Sequence, residues 1–84
     1  MSTKAHPLVR ESVEFHRRVL EAEVRLAEGR LEAFERKHGF SSKEFEAKFD
    51  GGKLGDDREW FDWMAELETA RTLKKKVAAL RGLP

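Results

Sequence analysis

The chain has 84 residues, no cysteine, and 39% charged residues whose signs nearly cancel at a formal net charge of +1. A chain this short forms one domain with a thin core, burying only about 60% of the surface its unfolded form exposes. Without cysteine there are no disulfides, thiolate nucleophiles or thiolate metal sites, and the balanced charge argues against a dedicated nucleic-acid binder.

A small domain without disulfides points to a reducing, cytoplasmic setting. Met1 to Pro7 are polar and show no leader pattern, and no segment approaches the roughly 18 to 20 apolar residues of a membrane span. Apolar residues make up 39% of the chain, with six Phe and two Trp supplying the bulk, so it folds rather than staying disordered.

Residues 1–6 read as a frayed tail, and Pro7 suits the first turn of a helix spanning residues 7–38. Within it Val9, Val13, His16, Leu20, Val24, Ala27, Leu31 and Phe34 recur at heptad-like spacing with one stutter. A second line, Leu8, Phe15, Val19, Ala22, Leu26 and Ala33, runs beside the first. The combined face is wider than a two-stranded seam needs and suits a helix with two neighbours. Glu14–Arg18, Glu21–Arg25 and Glu32–Arg36 have the i,i+4 spacing of favourable ion pairs. Gly29, the interior glycine, reads as a close-packing point or a slight bend.

His38-Gly39 ends this helix, with Gly39 in the left-handed position after the last turn. Ser41 caps the next one, Glu44 completes a capping box, and Phe40 is placed to pack on Phe45 as a hydrophobic staple. This short helix covers 42–50 and stops at Gly51-Gly52, with Lys53-Leu54-Gly55 as connector. Asp56, with Glu59 at the box position, is expected to cap a third helix at 57–81, closed by Gly82 and Pro84. Trp60, Trp63, Leu67, Ala70, Leu73, Val77 and Leu80 mark its apolar face, and its charges suit the macrodipole, acidic first and basic last.

The expected fold is all-α: an antiparallel hairpin of two long amphipathic, coiled-coil-like helices joined by a short helix packed across one end. The aromatic residues would gather at that end. A two-helix hairpin leaves an outer apolar stripe wet, so a dimeric bundle is expected, with Val9, Val13, His16, Leu20, Val24 and Leu31 as its oligomerisation row.

No residue pattern implies catalysis, a cofactor or a metal, and no enzyme is expected. His6, His16 and His38 have no zinc-site spacing, and His16 reads as a seam histidine that sets register. The acids Asp56, Asp57, Glu59 and Asp62 are explained by helix capping and the dipole. Ser2, Ser12, Ser41 and Ser42 lack a base and an orienting acid, and Gly51–Gly55 lacks the Gly-Lys-Ser/Thr ending of a phosphate loop. Arg71-Thr72-Leu73-Lys74-Lys75-Lys76 reads as a solvated helix face. Trp60-Phe61-Asp62-Trp63-Met64 crowds four large apolar side chains into one short stretch, more than one helix face holds. Phe45, Phe49, Trp60, Phe61, Trp63 and Met64 are therefore divided between core and contact with a protein partner.

Phe34-Glu35-x-Lys37-x-Gly39-x-Ser41-Ser42-x-x-Phe45, then Phe49-x-x-Gly52-x-Leu54-Gly55-Asp56-Asp57 and Trp60-Phe61-x-Trp63, resembles a small helical family of bacteria and archaea. Members of that family are often encoded beside a toxin in two-gene toxin–antitoxin pairs. The resemblance covers residues 34–63, and Gly51 departs from it, since a larger residue is expected before Gly52. It implies an antitoxin-like protein that binds and neutralises a toxin through a helical, partly aromatic surface, with no catalytic residues to carry over. Two other readings stand beside it. One is a structural or adaptor coiled-coil dimer, and the other an RNA-binding accessory using Lys74–Lys76 and Arg17-Arg18.

Overall fold

The computed structural model describes residues 7–82, so the tail at 1–6 and the closing Pro84 lie outside the described residues. The described residues form three helices and no strand: α1 (Pro7–His38), α2 (Ser42–Asp50) and α3 (Arg58–Arg81).

The helix ends follow local chemistry. Gly39 has φ +79°, and its N–H donates to the Glu35 carbonyl at 2.8 Å, which closes α1 with a single left-handed residue. Ser41 caps α2, its hydroxyl accepting from the Glu44 N–H at 3.1 Å. The expected reciprocal arm differs: the Glu44 carboxylate meets the Ser41 hydroxyl at 3.4 Å. At the end of α2, Gly52 takes φ +66°, its N–H donates to Phe49 O at 3.1 Å, and the Lys53 N–H reaches Lys48 O at 3.0 Å. This paired closure is a Schellman motif. A Cβ at Gly51 would stand 3.2 Å from the Ala47 carbonyl, so the residue that departs from the family pattern sits where a side chain is crowded.

α3 begins one residue later than expected. Its cap is Asp57, which makes no side-chain cap hydrogen bond, and the Asp56–Glu59 capping box does not form. The carboxylate of Glu59 lies instead 2.8 Å from Lys37 Nζ of α1, because the hairpin brings that ammonium within its reach.

α1 and α3 pack antiparallel. Lys37–Glu59 at 2.8 Å joins one end and Arg81–Glu21 at 2.7 Å the other, with Arg30–Glu66 and Lys74–Glu28 between them. Arg71 ties α3 to Glu46 of α2 at 2.6 Å. Ala27, Leu31, Phe45, Trp63 and Ala70 form the buried cluster, and Leu20 and Val77 are buried further towards the open end. Two of the expected i,i+4 pairs give way to this arrangement. Glu14 and Glu21 both bond Arg17, and Glu21 also takes Arg81 across the hairpin, so Arg18 and Arg25 form no salt bridge among the described residues. Glu32–Arg36 is present at 3.9 Å.

The molecule is a rod of 59 × 21 × 17 Å with a radius of gyration of 17.4 Å, against about 12 Å for a compact domain of this length. Among the described residues no third long helix covers the side of α1 turned away from α3. Gly29 lies on that side with nothing within 4 Å of where a Cβ would stand, so it is not a close-packing point within the chain.

Candidate protein-interaction surface

Two apolar regions were expected to contact other chains, and the structure treats them differently. At the hairpin's closed end Trp63 is the hub. Its indole stacks on Phe45 with centroids 4.1 Å apart and planes 3° from parallel, and it also meets Phe34 and Phe40, each at 5.4 Å. Trp63 and Phe45 are both 0% exposed. The indole N–H donates to the Ser42 hydroxyl at 3.1 Å, and the Ser42 N–H donates to the Glu35 carboxylate at 2.6 Å. A polar chain thus runs from α1 through the start of α2 to α3, leaving the buried indole satisfied. His38 completes the end, its ring 4.6 Å from Trp60 and its Nε2 3.0 Å from Glu59. Lys37 and then His38 hold the Glu59 carboxyl below its ordinary value through hydrogen bonds.

Of the six aromatic-end residues expected to be shared between core and partner, Phe45 and Trp63 are therefore interior. Phe49, Trp60 and Met64 are half-buried against the cluster. Phe61 is the one turned outward, 53% exposed and edge-on to Phe49 at 5.6 Å.

The row assigned to oligomerisation divides likewise. Leu20 and Leu31 are buried in the hairpin, Val13 and Val24 are half-buried, and Val9 and His16 are exposed. The exposed apolar row is the second line. Phe15 is 69% exposed and Leu26 61%, with Val19 and Ala33 also exposed and Ala22 half-buried between them. A helix packed on one neighbour covers one stripe; the width of the face in the sequence signalled a second stripe, although not which of the two α3 would take.

The concave surfaces offer less. A groove of about 550 Å³ beside the aromatic end is bordered by Arg30, Lys37, Glu59 and Glu66, which are already engaged with one another across the hairpin. Among the described residues no group of His, Asp and Glu is arranged to hold a metal ion, and no helix is long and apolar enough to cross a membrane.

Compared with known proteins, the chain matches no family model, no curated protein and no solved structure.

Proposed function

We propose that this protein is a helical interaction module of the antitoxin kind, which binds and neutralises a toxin encoded beside it. The observation that carries the reading is the exposed row on α1, where Phe15, Val19 and Leu26 present apolar side chains that α2 and α3 leave at the surface. Contiguous apolar surface of this sort is characteristic of sites that meet another polypeptide. The resemblance across residues 34–63 supplies the toxin as that polypeptide, and exposed Phe61 offers a second point of contact at the aromatic end. The module works in the cytoplasm without nucleic acid. Arg17 and Lys74, two of the five cations an RNA-binding reading would use, are engaged by Glu14, Glu21 and Glu28.

Co-expression with the product of the adjacent small gene tests the reading. Growth arrest by that product alone, relief by this chain, and loss of relief with Phe15→Glu or Leu26→Glu are expected. A harmless neighbour, or full relief by both variants, refutes it. The structural or adaptor reading is favoured by one observation, the heptad spacing of the same row.

A further inference from the structure

The outer row follows a stricter repeat than the inner one. Ser12, Phe15, Val19, Ala22, Leu26, Gly29 and Ala33 alternate steps of three and four without a stutter. A repeat of 3.5 residues is the pattern of a helix that supercoils around another helix, with alternate members as a and d positions. Val19 and Leu26 fall at a, and Phe15, Ala22 and Gly29 at d. Gly29 is otherwise unexplained. A glycine within a helix costs roughly 1 kcal/mol relative to alanine, and nothing in the hairpin uses the space it leaves. On this row it lets a second backbone approach.

The flanking charges identify that second helix. The g positions are Glu11, Arg18, Arg25 and Glu32, and the e positions include His16, Glu23, Arg30 and Lys37. Such flanks set partner choice and orientation in coiled coils. In a parallel, in-register pair of identical helices each g residue meets the e residue five positions on. Glu11 then faces His16 of the second copy, Arg18 faces Glu23, and Glu32 faces Lys37, which Glu59 of its own chain also holds at 2.8 Å. Arg25 faces Arg30, whose charge is already met by Glu66 at 3.1 Å. Arg18, Arg25 and Glu23 are in no salt bridge among the described residues, so Arg18 and Glu23 are available to each other. The antiparallel register that matches Phe15 with Leu26 instead sets Arg18 against Arg25 and Glu11 against Glu32, like charge on like.

We propose that the outer row of α1 takes α1 of a second copy of this chain, parallel and in register, forming a homodimer with α3 and α2 on its outer flanks. The proposal rests on the reading that this row is an interaction surface, and it names the first occupant.

The absence of cysteine makes a direct test possible. Ala22→Cys in the full chain places one thiol at the dimer's central d position, and mild oxidation is expected to give a disulfide-linked dimer. Ala79→Cys, exposed on α3, is the control and is expected to give no disulfide-linked dimer. Orientation is read from the charges. Arg18→Glu weakens the dimer roughly fivefold at low salt, since two symmetry-related pairs become repulsive, and Arg18→Glu with Glu23→Arg restores it. All these positions lie outside the buried core, so a cooperative melt retained by each variant confirms that the hairpin is intact. Cross-linking of Ala22→Cys no faster than the control, or no recovery in the charge-reversed double variant, overturns the proposal. The two readings fail separately. If Phe15→Glu abolishes toxin relief while Ala22→Cys does not cross-link, the docking reading stands and the homodimer falls. If Ala22→Cys cross-links while Phe15→Glu still relieves, the reverse holds.

Discussion

The inner row of α1, with Leu20, Ala27 and Leu31, is buried against α3, while the outer row, with Phe15, Val19 and Leu26, is exposed along the same helix. Their apolar content is similar, so composition did not decide between them. The difference lies in what the chain itself can bring to each. The short route through α2 delivers one helix to the inner row, and the cross-hairpin pairs from Lys37–Glu59 to Arg81–Glu21 fix it there. Among the described residues no element packs on the outer row. The row with the cleaner heptad spacing is the one that the described helices leave exposed, which is why the proposal assigns it to a second molecule.

The largest way to break the inner side is Trp63→Ala. The indole is fully buried and contacts Phe34, Phe40 and Phe45, so its loss costs about 3–5 kcal/mol, comparable to the whole stability of a small domain. Urea unfolding followed by circular dichroism is expected to show little folded protein. A matched pair sharpens the comparison of rows. Leu20→Ala, at a position 6% exposed, costs about 2–5 kcal/mol, whereas Leu26→Ala changes the stability of the dilute, monomeric hairpin by less than about 0.5 kcal/mol. Thermal melts of the two variants at equal low concentration check this, and equal losses would erase the distinction between the faces.

Smaller effects come from the polar frame of the aromatic end. Ser42→Ala removes the acceptor of the Trp63 indole N–H and costs about 1–2 kcal/mol, read as a lower urea midpoint at unchanged slope. Acid has the mildest action. Glu21, Glu46 and Glu59 are each held below the ordinary 4.5 by hydrogen bonds, chiefly from Arg81, Arg71 and Lys37. Because their folded values are depressed, their contribution is complete above 4.5 and is lost as the pH falls through the folded values. All three carboxylates are half-buried and still reached by water, so a shallow decline in melting temperature below that pH is expected, and Glu59→Gln flattens part of it.

Much of this was legible from local chemistry. Gly39, Ser41 and Gly52 set helix ends by rules that act within a few residues, and the bounds of α1 and α2 follow from them. Asp56 misled because Asp56 and Asp57 are equivalent by type, and because Lys37, distant in sequence, draws Glu59 away. The aromatic end was expected from the clustering of Phe and Trp, but the Ser42 acceptor for the indole was not, since nothing local pairs residues 42 and 63. On α1 both apolar lines were visible. The line assigned to oligomerisation includes Leu20 and Leu31, which the hairpin buries, and Val9 and His16, which it leaves exposed, because spacing alone does not say which stripe a helix from the same chain will cover.

Sedimentation equilibrium of the full chain and of Leu26→Glu, from low to high micromolar concentration, tests the central claim about the outer row. The account predicts a concentration-dependent dimer for the native chain, and for the variant a monomer whose thermal melt matches the native chain's at dilution where both are monomeric. A native chain that stays monomeric throughout, or a variant that associates as the native chain does, would contradict it.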